Sequence, residues 1–207
     1  MKPPPDVSSP IDLRNMEDAR EWAHTAIVKR PSRPEFFEMF AALIHDHNQM
    51  VSTILELGSG PGFLAEHLLR RLPNVEYVAL DFSGAMHELA RSRLGELASR
   101  VKFIERSFKD EKWMERLGQF DCVVTHQAVH ELRHKRHATN LHKQVGRVLR
   151  DGGPYLVCDH FVGYGGMADD DLFMTKEEHL NALQTSGFRD VAQVKVADSL
   201  VLFRALR

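Results

Sequence analysis

Cysteine is scarce. Only Cys122 and Cys158 occur in 207 residues, each inside an apolar run that reads as a buried strand. So few thiols exclude a disulfide-framed scaffold and favour reduced, buried side chains in a cytoplasmic protein. Should the two strands be neighbours, an oxidised pair stays open. Long apolar runs are also missing: none reaches the roughly eighteen residues that span a bilayer, so no membrane insertion is expected. The start, Met1-Lys2-Pro3-Pro4-Pro5-Asp6-Val7-Ser8-Ser9-Pro10, lacks the apolar core of a secretory signal and reads as a flexible tail over residues 1–11. Nor is one sign of charge in excess. With 27 Lys and Arg against 29 Asp and Glu, the formal net charge is −2, which gives no global electrostatic argument for nucleic acid. No internal repeat is visible. What is present is 43% hydrophobic residues, enough for one globular domain with a substantial core.

Apolar periodicity divides the chain. Trp22, Ala26 and Ile27, then Phe36, Phe37, Phe40, Leu43 and Ile44, have helical spacing on either side of a break at Pro31-Ser32-Arg33-Pro34. Strands are expected near 51–57, 75–81, 101–105, 120–125, 155–159, 189–196 and 199–206. Helices are expected near 64–72, 83–97, 137–150 and 175–186, with Gly187 capping the last. Alternating strands and helices imply a parallel sheet with helices on both faces. The short link Ala197-Asp198 makes the final two strands an antiparallel hairpin.

The most specific stretch is Ile54-Leu55-Glu56-Leu57-Gly58-Ser59-Gly60-Pro61-Gly62-Phe63. A buried strand flows into three glycines at alternate positions, and an amphipathic helix follows at once. Glycines there let the backbone turn and approach a ligand where a Cβ would collide. The helix end supplies free N–H groups and a positive dipole. About nineteen residues after Gly62 comes Asp81, at the tip of the second strand, a distance that suits ribose hydroxyls. A dinucleotide fold would use G-x-G-x-x-G; here the third glycine comes one position early.

The string Glu56-Leu57-Gly58-Ser59-Gly60-Pro61-Gly62, with Asp81 beyond it, resembles the first motifs of class I S-adenosylmethionine-dependent methyltransferases of the small-molecule type. The resemblance covers nearly all of residues 45–207. It implies a Rossmann-like, doubly wound α/β fold: a seven-stranded sheet in the order 3-2-1-4-5-7-6, its last strand antiparallel, with helices on both faces. It divides the chain into the tail and a single domain over 12–207, a helical cap at 12–46 and a core at 47–207. The resemblance also implies the cofactor, S-adenosylmethionine. Its amino-acid part would meet Glu56, Gly58, Ser59, Gly60 and Gly62, and its ribose would meet Asp81, whose other reading is a helix cap. Phe82 would lie along the adenine ring. Many members carry Gly-Asp-Ala after strand three; this chain has Ser107-Phe108 instead, so Ser107 or the Phe108 N–H would contact the base and Phe108 would wall the pocket.

After strand four, His126 and Gln127 would face the methyl group. His130 matches a histidine common in small-molecule members and could take a proton from an acceptor hydroxyl or amine; its other reading is a loop pin. His160, ending strand five, is a second base candidate. The run His130-Glu131-Leu132-Arg133-His134 also matches the zincin signature H-E-x-x-H, but it follows a buried strand instead of lying within a long helix, so no metal is assigned. Asp/Asn-Pro-Pro-Tyr/Phe after strand four and a Pro-Cys nucleophile are both missing, which excludes the corresponding adenine, glutamine and cytosine-C5 methylations. Arg30 or Arg33 would pair with the cofactor's carboxylate or sit in a solvated turn. The loop over 160–174 would be a lid or an ordinary connection. The expected function is methyl transfer to a small-molecule acceptor. The other readings are a non-catalytic binder of S-adenosylmethionine or its demethylated product, a zinc hydrolase, and a nicotinamide-dependent oxidoreductase.

Overall fold

In the computed structural model, which describes residues 5–47 and 50–207, alternate strand residues divide between two cores. Ile54, Tyr77, Ala79, Val124 and Leu156 join one, and Leu55, Leu57, Leu80, Val123, Tyr155 and Val157 join the other. This is the period-two alternation of a strand buried on both faces. Five parallel strands carry it: β1 (Thr53–Leu57), β2 (Glu76–Asp81), β3 (Val101–Glu105), β4 (Cys122–His126) and β5 (Pro154–His160). Then β6 (Arg189–Ala197) and β7 (Leu200–Leu206) form an antiparallel hairpin, and β7 pairs antiparallel with β5. The sheet order is β3-β2-β1-β4-β5-β7-β6, as the resemblance implied.

Two helices precede the sheet. α1 (Met16–Lys29) starts where the Asn15 side chain accepts the N–H groups of Glu17 and Asp18, and α2 (Arg33–His45) starts at the break expected from Pro31 and Pro34. Phe36, Phe40 and Ile44 of α2 share one core with Leu64, Leu68 and Leu69 of α3 (Phe63–Arg71). Leu94 of α4 (Gly84–Leu94) closes that core. Opposite, Leu141, Val145 and Val148 of α5 (Ala138–Val148) and Leu183 of α6 (Lys176–Thr185) cover the other face. Each fully buried Leu or Ile side chain stabilises this arrangement by about 1.5–3 kcal/mol.

Three details differ from the sequence expectations or decide between them. The last turns of the second core helix tighten into a 3₁₀ segment over Gly95–Arg100, because Gly95 takes a left-handed φ of 54°. Cys122 and Cys158 lie on neighbouring strands, but Cys158 pairs with His126, four residues beyond Cys122, so both are free thiols with no route to each other. Part of the tail is tethered: the Val7 N–H donates to the Arg133 carbonyl at 2.7 Å, while the Arg133 guanidinium donates to the carbonyls of Val7 and Ser8. The rest of the expected flexible tail, Met1 to Pro4, lies outside the described residues. Among the described residues, no helix is long and apolar enough to cross a membrane.

Candidate active site

Parallel strands of this kind leave a crevice beyond their carboxyl ends, where the strand order reverses. Here that crevice is a cleft walled below by the ends of β2, β1, β4 and β5 and above by α1 and α2. Its lining includes Glu56, Gly58, Ser59, Gly60, Asp81, Phe82, Phe108, His126, Gln127, His130 and His160. Trp22, Arg33 and Phe37 of the two leading helices, with Arg30 of the link between them, close the top. A second hollow adjoins it across Leu13, Phe82, Phe108 and Glu131 and contains Ser107. Every residue expected in the cofactor site except Gly62 therefore lines one of two connected spaces. Gly62 instead caps α3 in the left-handed conformation, where a Cβ would sit 3.1 Å from that of Ala90.

The glycine loop is held by one carboxylate. The Gly60 N–H donates to Asp81 Oδ2 at 2.8 Å and the Ser83 N–H to Oδ1 at 3.0 Å. Asp81 therefore braces the loop rather than capping α4, whose cap is Ser83. Burial raises the Asp81 pKa to about 6 even though these backbone N–H groups pull it down. Glu56 is buried beneath the loop and accepts the Tyr77 hydroxyl at 2.9 Å. Burial pushes the pKa of its carboxyl well up, against the Tyr77 hydrogen bond that lowers it. A Cβ on Gly58 would overlap the Ala128 methyl, while one on Gly60 would meet nothing within 4 Å. The loop is thus tight against the protein on one side and open toward the cleft on the other.

The β4–β5 end is built from histidines. Asp159, 1% exposed, accepts His130 Nδ1 at 2.6 Å, the His130 N–H at 2.8 Å and the His160 N–H at 2.7 Å. Burial alone would lower the pKa of His130, but the charge and hydrogen bond of Asp159 outweigh it and hold it above the ordinary histidine value. The same pairing keeps Asp159 ionised despite its burial. The Nδ1–H bond leaves His130 Nε2, 3.5 Å from Glu131 Oε1, as the ring's proton-accepting atom. His160 is differently placed. Its Nε2 lies 2.9 Å from Gln127 Nε2 and its Nδ1 lies 3.3 Å from Ser199 Oγ, so both ring nitrogens are engaged. Burial and the neighbouring His130 lower its pKa to about 3. Gln127 reaches it from a left-handed backbone, φ 56°, at the kind of strained position common in active sites. His126 packs edge-on to Phe37 at 5.0 Å and is kept neutral by burial and by Arg33.

The H-E-x-x-H run is not a helix. Arg133 takes a left-handed φ of 67° between two short 3₁₀ turns, so His130 turns to Asp159 while His134 Nδ1 accepts the Arg136 N–H. Among the described residues, no group of three or more His, Cys, Asp or Glu is arranged to hold a metal. Sequence reading placed Asp159 with His160 at the end of strand five, facing the cleft, but gave it no role, and it left the burial of Arg33 undecided. The loop after β5 stays at the rim, with Tyr164 fully exposed and Met167 Sδ 3.8 Å from Arg30.

The cleft suits S-adenosylmethionine by a test internal to the structure. Five buried polar atoms without a hydrogen-bond partner line it: Ser59 Oγ, Gln127 Oε1, His126 Nε2, Arg30 Nε and Arg33 Nε. Buried polar groups are ordinarily satisfied, so this concentration marks a space shaped for a polar ligand.

Residues 54–153 match the family model described as a methyltransferase domain. This match, over just under half of the chain, supports a class I S-adenosylmethionine-dependent methyltransferase, as the glycine-loop resemblance implied. Two malonyl-[acyl-carrier protein] O-methyltransferases are similar to it. That of Geobacter sulfurreducens is 28% identical over 82% of this chain and 66% of its own, and that of Legionella pneumophila is 38% identical over 60% and 41%. The chain thus spans two thirds or less of the length of these curated relatives. An O-methyltransferase family protein from Burkholderia thailandensis shares the fold, with a TM-score of 0.76 at 18% identity over 97% of this chain and 65% of that one. In the methyltransferase core, the matched segment runs from β1 to the turn before β5, so it includes the glycine loop, Asp81 and His130 but not Asp159.

Proposed function

We propose that this chain transfers a methyl group from S-adenosylmethionine to a small-molecule acceptor. The observation that carries this reading is one continuous cleft with an Asp81-braced glycine loop at one end and a His130–Asp159 pair at the other. When bound, S-adenosylmethionine supplies a methyl group already activated by a positive sulfur. Gly58, Ser59 and Gly60 would line its amino-acid part, with Arg33 taking its carboxylate. Asp81 would accept from the ribose, and Phe82 and Phe108 would flank the base, with Ser107 at its far edge. His126 and Gln127 would border the methyl group.

The protein's own chemistry is alignment, exclusion of water and proton removal. Nε2 of His130 would take a proton from an acceptor hydroxyl or amine, while Asp159 fixes the ring and stabilises the imidazolium that forms. His160, with both nitrogens engaged, would position Gln127 instead of moving a proton. Residues 12–46 would act as a helical cap on the core at 47–207. The two free, buried thiols suit a reducing, cytoplasmic setting.

Calorimetric titration with S-adenosylhomocysteine tests the site. The wild-type chain should bind, and Asp81→Ala should lose affinity at least tenfold. Unchanged affinity in Asp81→Ala contradicts the site. Screening acceptors with isotopically labelled donor then tests transfer; binding with no labelled product from any acceptor favours a non-catalytic binder.

A further inference from the structure

The cleft's charges are unevenly distributed along the strand order. Toward β2 and β1, Asp81 braces the glycine loop and the buried Glu56 carboxyl is paired with Tyr77. Toward β4 and β5 the lining holds Lys29, Arg30 and Arg33 and one carboxylate, Glu131, which lies 3.5 Å from His130 Nε2 and 3.7 Å from Arg133 and contacts neither Arg30 nor Arg33. Asp159 is near but beneath this wall, committed to His130.

Among the described residues neither guanidinium is ion-paired, although the charge of Arg30 reaches Asp198, whose carboxylate accepts the Ser32 N–H. Arg33 is only 4% exposed, and its guanidinium makes no hydrogen bond or ion pair among the described residues; it lies 5.2 Å from the Trp22 ring, and its charge reaches His126. Arg30 donates to its neighbour's carbonyl and approaches the Met167 sulfur. Both Nε atoms are buried without a partner. Two adjacent cations with donors facing a cavity are costly unless anions arrive to satisfy them. Burial, and then Arg30's charge, lower the pKa of Arg33 to about 10, which leaves it charged at neutral pH.

S-adenosylmethionine brings a single carboxylate. Arg33, packed beside His126 at the end of β4, is the nearer to the glycine loop in strand order. Arg30 lies farther on, beside Met167 and the end of β5, where His160 and Ser199 meet. We infer that the methyl acceptor is itself a small carboxylic acid whose carboxylate is anchored by Arg30, leaving Arg33 to the donor. Planar, forked donors match a carboxylate bidentately. Trp22, Ala26 and Phe37 would receive the acceptor's apolar body, and a hydroxyl or amine elsewhere on it would face His130. The carboxylate is the anchor and not the methylated group. This inference rests on the methyltransferase reading above.

The test uses the full chain saturated with S-adenosylhomocysteine and a matched pair of probes, 4-hydroxyphenylacetate and its neutral amide, followed by calorimetry. The acid should bind at least tenfold more tightly than the amide. Arg30→Ala should abolish that preference while changing S-adenosylhomocysteine affinity less than threefold, and Arg30→Lys should restore part of it. Arg33→Ala should instead lose S-adenosylhomocysteine affinity tenfold or more. Equal binding of acid and amide overturns the inference, as does a preference that survives in Arg30→Ala. Loss of S-adenosylhomocysteine binding in Arg30→Ala, with Arg33→Ala unaffected, also overturns it. Failure of the wild-type chain to bind S-adenosylhomocysteine at all overturns the methyl-donor reading first, and this inference with it.

Discussion

The two ends of the cleft are built from different materials. At the β2–β1 end the work is done by backbone: three glycines with positive φ, N–H groups aimed at one carboxylate, and a helix terminus. At the β4–β5 end it is done by side chains drawn from separate elements, with Asp159 of β5 gripping His130 of a 3₁₀ turn and Arg30 and Arg33 arriving from the start of α2 and the loop before it. The first end can be assembled by a short contiguous segment. The second exists only once β4 and β5 are in register.

This contrast predicts unequal responses to substitution. The largest effect is expected from Asp159→Asn. It should lower kcat/KM about 10²–10³-fold, because a positioned, strengthened base is lost, while S-adenosylhomocysteine affinity stays within about threefold. The pH profile separates this from simple damage. In the wild type, kcat/KM should rise with pH as His130 deprotonates, with a midpoint above the ordinary histidine value because Asp159 favours the imidazolium. Removing that charge should move the limb to lower pH.

The glycine end should break differently. Gly58→Ala places a methyl against Ala128 at φ 69°, so it should destabilise the fold by about 1–3 kcal/mol in denaturant unfolding. Gly60→Ala meets no protein atom within 4 Å and should cost only about 1–2 kcal/mol of left-handed strain. Its methyl nevertheless enters the ligand space, so calorimetry should show S-adenosylhomocysteine affinity falling at least tenfold. Equal affinities for Gly60→Ala and wild type would mean that the open side of the loop does not face a ligand.

A milder probe needs no mutation. Burial places the Asp81 pKa at about 6, above the unfolded carboxylate value, so the ionised form that accepts ribose hydroxyls gains population as pH rises. Between pH 5 and pH 7 the ionised fraction of such a group climbs about tenfold, and S-adenosylhomocysteine affinity should strengthen by a similar factor. The dependence should vanish in Asp81→Asn. The smallest effect is expected from His160→Gln, which should reduce kcat/KM less than about tenfold and leave the acidic limb of the pH profile in place.

The same contrast explains what was legible before any coordinates. Glu56 through Gly62 and Asp81 were readable because strand, turn and helix follow one another within a single βαβ unit, so spacing alone carries the chemistry. The sheet order could likewise be read from the alternation of elements together with the family resemblance. Asp159 could be placed at the strand end facing the cleft, but its role was hidden because it continues the buried run Tyr155–Cys158 and its partner lies on another element. Its role depends on the register that sets His126 against Cys158 and so brings residues 159 and 160 beside 127 and 130. Arg33 sits in a basic, proline-rich turn that reads equally as a partner of the cofactor's carboxylate or as solvated. Only the packing of α2 over β4 carries it into the cleft.

A structure of the chain with S-adenosylhomocysteine tests the division between the two ends most directly. The account predicts the ribose hydroxyls within hydrogen-bond distance of Asp81, the amino-acid carboxylate on Arg33, and the sulfur directed toward the space bordered by His126, Gln127 and His130. A nucleoside bound away from Asp81, or with its sulfur turned from His130, would contradict it.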